Sequence, residues 1–173
     1  MLEVMSKRRA CRKFDSRPVE KEKIEEIINA GLLAPSGMGR QTSAIIAISD
    51  KKTRDELMEL NRKIGGGFFH GNMDPFYGAP VILLVIAKKE GLSIHDGCAT
   101  IENMLLEATN QGLGSCWIHR AKEEIESDEG RKILSFAGLN FDEYIGVGHV
   151  IVGYSSMDQY PPKEIKPNRV FYK

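Results

Sequence analysis

The chain has 173 residues, 42% of them hydrophobic and 28% charged, which fits one globular domain, residues 1–173, with a substantial core. Lysine plus arginine equals aspartate plus glutamate at 24 each, so no global field attracts nucleic acid or an anionic membrane, and any anion site has to be local. Three cysteines without a C-x-x-C spacing and four scattered histidines argue against structural zinc and against a disulfide framework.

From Met1 the chain runs into charge by Glu3 with no apolar leader, and its longest apolar run, residues 79–87, is too short to cross a bilayer; a soluble, cytoplasmic protein is expected. Residues 8–14, RRACRKF, pack four positive charges around one cysteine. Arg8, Arg9 and Arg12 have the planar forks that hold phosphate oxygens in pairs of hydrogen bonds. The plainer reading is the solvated face of a short helix, and a nucleic-acid arm lacks a second basic stripe to support it.

Residues 20–35 space Ile24, Ile27, Ile28, Gly31 and Leu32 at helical intervals, and Pro35 ends the helix. The turn at 34–41, APSGMGRQ, serves as a helix stop or as a cluster of N–H groups, a hydroxyl and an amide suited to the polar edge of a flat heterocycle. SAIIAIS at 43–49 predicts a strand. Asp50 is a candidate N-cap for a helix through Leu57, Leu60 and Ile64 that ends at the glycines 65–67. Residues 65–78 then form a loop, glycine-rich at first and aromatic later.

PVILLVIAKK at 80–89 predicts a central strand covered on both faces. Ser93 and Asp96 have the spacing of a capping box, opening a helix to about Gln111 whose apolar residues, from Cys98 to Ala108, spread beyond one stripe and place it inside. GLGSCWIH at 112–119 gives a third strand, 127–137 a helix stopped by Gly138, and GVGHVIVGYS at 146–155 a fourth strand. Gly112 and Gly114 alone do not make a dinucleotide fingerprint. Cys98 and Cys116 read as packing residues, and with no acid-base set in view an enzyme here would borrow its chemistry from a cofactor. Residues 160–173, rich in proline and charge, predict an extended arm whose late aromatics find a partner in another subunit.

Taken in order, RRACRKF, APSGMGRQ, FYGAPVILLV, IENMLLEATNQGLGSCWI, and VIVGY followed by KPNR resemble the FMN-dependent nitroreductase family over nearly the whole chain. The resemblance implies an α+β fold, a central mixed or antiparallel sheet of four to five strands flanked by helices, in an intertwined homodimer that exchanges the arm at 160–173. It implies FMN at the subunit seam. The family's opening pattern falls on Arg8, Arg9, Ala10 and Arg12, where the first and last would hold the phosphate and ribityl end and Ala10 replaces a usual serine. The turn that reaches the flavin from the other subunit falls on Pro35, Ser36, Gly37, Met38 and Gln41, with Gly39 in place of a common asparagine. Cys116, Trp117, Ile118 and His119 would pass along the ring, and Lys166 and Arg169 would close on the phosphate. The implied reaction is ping-pong: NADH or NADPH gives hydride to FMN N5, and a planar acceptor such as a nitroaromatic or quinone takes two electrons. The alternative is a flavin-binding protein of the same fold with other reductive chemistry or little turnover. No catalytic residue, metal, nucleic acid or membrane is implied.

Overall fold

The structure, a computed structural model, describes residues 1–68, 71, 73–157, 160, 161 and 163–173. His70 and parts of the loop at 65–78 and the arm at 160–173 lie outside them. Among the described residues the α-helices and β-strands follow in this order: α1 (Glu3–Lys7), α2 (Lys21–Leu32), β1 (Ser43–Ile48), α3 (Lys51–Gly65), β2 (Val81–Lys88), α4 (Ser93–Asn110), β3 (Gly114–Ile118), α5 (Ala121–Glu126), α6 (Asp128–Ile133) and β4 (Tyr144–Gly153). The sheet runs β1-β2-β4-β3 and every pairing is antiparallel, which narrows the expected mixed or antiparallel sheet of four to five strands.

β2 lies inside the sheet, and Val81 to Ala87 are all buried. Alternation splits them. Val81, Leu83 and Val85 meet Ile27 of α2 and Ile101, Met104 and Leu105 of α4, whereas Ile82, Leu84 and Ile86 meet Leu57 of α3, Ile125 of α5 and Leu134. Burying each such side chain stabilises by roughly 1.5–3 kcal/mol, so the two-sided strand anchors both helical layers. Asp50 caps α3 as expected, accepting from the Thr53 amide at 2.8 Å.

Three expectations need correction. Ser93 and Asp96 form no capping box: Leu92 is the N-cap, and Ser93 Oγ donates back to the Glu90 carbonyl. Asp96 instead takes two tertiary donors, described below. The helix expected at 127–137 starts and stops where expected but is α-helical only to Ile133: α5 precedes it, Ser127 is extended and its hydroxyl caps α6 by accepting from Gly130 N, and a 3-10 turn, Ser135–Ala137, follows before Gly138 at φ 65°. α4 buries one face, leaving Cys98, Ala99 and Leu106 half-buried, so Cys98 is not a core packing residue. One sheet in one chain cannot cover so wide an apolar surface.

The segment GVG in β4 organises close contacts. Opposite the step from Val85 to Ile86 of β2, β4 bulges and leaves Val147 unpaired, and Val147 packs on Gly97 of α4, where a Cβ would meet it at 2.6 Å. A Cβ on Gly146 would lie 2.2 Å from the Ala121 backbone, and one on Gly148 would lie 2.2 Å from the Trp117 indole nitrogen. α4, α5 and the Trp117 ring each come this near because side chains are absent.

Candidate functional site

The basic segment is stitched to the sheet edge. Ala10 bridges Ser115 in parallel, Cys11 N donates to the Ser115 carbonyl at 2.8 Å, and Phe14 bridges Ser155. This course carries Arg12 to a concavity of about 370 Å³ that it lines with Phe68, Pro75, Tyr77, Cys116, Trp117, Ile118, His119 and Arg120. Two of the sequence candidates, the arginine knot and the third strand, therefore share one wall. A wider groove of about 770 Å³ between α3 and α6 is rimmed by surface charges such as Lys52, Glu56, Glu129 and Lys132 and brings no candidate residues together.

The three arginines have different surroundings. Arg9 is committed within the chain, donating to the carbonyls of Ser6, Arg8 and Pro161. Arg8 lies 3.9 Å from Glu102 of α4, a weak, half-solvated pairing. Arg12 is exposed and hydrogen-bonds with none of the described residues. Ala10 is half-buried; across its bridge, the buried Ser115 hydroxyl has no hydrogen-bond partner among the described residues.

Trp117 turns its ring onto Gly148, and its buried Nε1 also lacks a partner among the described residues. His119 is exposed, its ring 6.2 Å from that of Trp117. Burial pushes the Cys116 thiol up, against the pull of Arg12, so it stays protonated and packs in the core as expected. Asp74 accepts from the Arg54 guanidinium and from the amides of Phe76 and Gly78, which fixes the wall carrying Pro75 and Tyr77. Arg120 lies over the Phe68 ring, 5.5 Å from its centre.

The turn at 35–41 lies apart from this cavity, at the start of α4. Met38, Gly39 and Gln41 have positive φ, and Gln41 N donates to Ser36 Oγ at 2.9 Å. Asp96 holds the turn by accepting from Gly37 N and from the buried Thr42 hydroxyl, both at 2.9 Å. Pro35 and Met38 face outward. Lys166 and Arg169 are exposed and hydrogen-bond with none of the described residues, although the Arg9–Pro161 contact roots the arm beside the arginine knot. Sequence reasoning missed Phe68, Pro75, Tyr77, Arg120 and Asp96. The aromatic tail of the loop at 65–78 was the only signal for the first three. No group of three or more His, Cys, Asp or Glu that could hold a metal occurs among the described residues, nor is any described helix long and apolar enough to cross a membrane.

A model described as the nitroreductase family matches residues 5–154. The chain belongs to the nitroreductase family. Its fold is that of a nitroreductase from Bacteroides fragilis solved with bound FMN, with a TM-score of 0.89 at 25% identity over all of both chains. An FMN-dependent nitroreductase from Clostridium difficile is 30% identical, with a TM-score of 0.79 over 99% of this chain and 98% of that one. A protein of Archaeoglobus fulgidus named, by provisional assignment, an NADH dehydrogenase/NAD(P)H nitroreductase is 28% identical over 95% of this chain and 87% of its own length. In this nitroreductase family member, the Ala10–Ser115 bridge and the cavity at the end of β3 bring two of the expected segments, RRACRKF and GLGSCWIH, to one location.

Proposed function

We propose that the protein is a cytoplasmic, homodimeric, FMN-dependent NAD(P)H oxidoreductase, residues 1–173 forming one flavin-binding domain whose arm, from residue 160, spans the partner. The observation that carries this reading is the shared wall: Arg12, whose guanidinium N–H groups bond with none of the described residues, beside the apolar strand of Cys116, Trp117 and Ile118. That donor set fits a flat ring with an anionic tail. When bound, FMN would supply the chemistry, accepting hydride from a nicotinamide nucleotide and passing two electrons to a planar acceptor such as a nitroaromatic or quinone.

The chain's own residues hold and orient. Arg12 and Arg8 offer N–H groups to the phosphate, while Arg9 ties the arm to its root. Cys116, Trp117, Ile118 and His119 form the wall for the ring, and Asp96 keeps the 36–41 turn shaped for a partner subunit's flavin. Lys166 lies five residues beyond Pro161, a reach of up to about 17 Å, and closes on the phosphate with Arg169.

The test is the purified protein's spectrum under anaerobic conditions. A yellow protein that bleaches with NADH or NADPH and recovers on addition of a quinone, with steady turnover, is the expected result. Arg8→Ala with Arg12→Ala should purify colourless while still folded. A colourless parent that takes up no added FMN overturns the reading, and a yellow protein without turnover leaves a flavin binder.

A further inference from the structure

Behind the cavity wall lies a polar cluster that gripping the phosphate and facing the ring both leave unused. Asn61 of α3, Glu124 of α5 and His149 of β4 are each fully buried. His149 Nε2 stands 2.7 Å from Glu124 Oε2, and its Nδ1 stands 3.3 Å from the Ile118 carbonyl oxygen. Asn61 Nδ2 donates to Glu124 Oε1 and, at 3.0 Å, to the His119 carbonyl. The Phe76 ring meets the imidazole edge-on, centroids 5.3 Å apart. Burying such groups is costly unless they are bonded; here every side-chain polar atom but Asn61 Oδ1 has a partner among the described residues, and the bonds end on two consecutive carbonyls of the segment that lines the cavity.

Those carbonyls lie where β3 stops. Ile118 is its last paired residue, opposite His149. Arg120 then sits at φ 79°, a left-handed conformation that a non-glycine residue keeps only when its surroundings enforce it. Its carbonyl accepts from Glu124 N at 3.0 Å, starting α5.

The proton count limits what the cluster can be. A carbonyl oxygen only accepts, so His149 Nδ1 carries a hydrogen, and Nε2 and Oε2 share one further proton. The pair is net neutral whether that proton rests on the imidazole or on the carboxyl. A glutamine at 124 could donate to Nε2 and accept from Asn61, keeping all four hydrogen bonds.

We propose that Asn61, Glu124 and His149 are positioning residues, a hydrogen-bonded clamp on the Ile118 and His119 carbonyls that sets the exit of β3 and so the wall against which the flavin ring rests. The part concerning the flavin rests on the function proposed above; the part concerning the backbone does not.

Amide hydrogen exchange over residues 116–121, read beside the visible circular dichroism of bound flavin, tests both parts in the parent, Glu124→Gln, Asn61→Ala and His149→Leu. Losing a clamp bond should speed exchange of this segment about tenfold in Asn61→Ala and His149→Leu and alter the flavin signal, whereas Glu124→Gln stays within about twofold of the parent. Asn61→Ala removes a helix side chain without opening the sheet, so it decides the matter if His149→Leu does not fold. Unchanged exchange in folded Asn61→Ala, or a Glu124→Gln variant as unprotected as Asn61→Ala, overturns the clamp. Faster exchange with an unaltered flavin signal overturns the positioning role. A parent that binds no flavin sinks the proposed function instead, and exchange still decides the clamp.

Discussion

Asp96 shows how one side chain can be misread from spacing and still matter. Three residues after Ser93 it matches a helix-capping partner, but its carboxylate reaches out of α4 to Gly37 N and the Thr42 hydroxyl. Spacing along a helix says which backbone donors are near, not which tertiary donors compete for the same oxygens. Thr42 is buried, so removing the acceptor leaves its hydroxyl unpaired. Asp96→Ala should lose about 1–3 kcal/mol in urea unfolding, with the midpoint moving and the slope kept. Arg9 teaches the complementary lesson: within RRACRKF nothing distinguishes the three guanidiniums, and only the fold shows that one is committed to carbonyls as far away as Pro161.

At the scale of elements, periodicity carried the long segments. α2, α3 and all four strands stand where their apolar spacing puts them, since each buries enough side chains to leave a repeating pattern. α1 and α5, five and six residues long, are too short to show a period, and both went unread. The β4 bulge was equally invisible, because GVG reads as an ordinary strand start until its three neighbours are known. Its energetic weight is open to measurement. The Ala121 backbone cannot retreat from a new methyl group as a flexible side chain would, so Gly146→Ala should destabilise by about 1–3 kcal/mol and lower the melting temperature.

For the molecule as a whole, the two-sided burial of β2 was legible from its unbroken apolar run, whereas the order β1-β2-β4-β3 was not, because a list of strands does not state which are neighbours. The candidate site was legible in its parts. Its assembly depended on the segment from Ala10 to Phe14 running along the sheet edge, which no local pattern announces. The arm leaves a comparable mark: Val170, Phe171 and Tyr172 are strongly exposed, an arrangement that water disfavours and a second subunit would relieve. Deleting residues 163–173 should convert the proposed dimer into a monomer by light scattering and strip its flavin, as Lys166 and Arg169 go with the segment. A truncated protein that stays dimeric and yellow would remove the arm from both roles.

The lone tryptophan, Trp117, stands in the wall that the proposed cofactor would occupy, its indole laid over Gly148. The chain therefore contains its own optical gauge. Ultraviolet emission from that ring arises from a single address, so it dims as the neighbouring space fills with an absorbing dye and brightens as the dye departs, with no label attached.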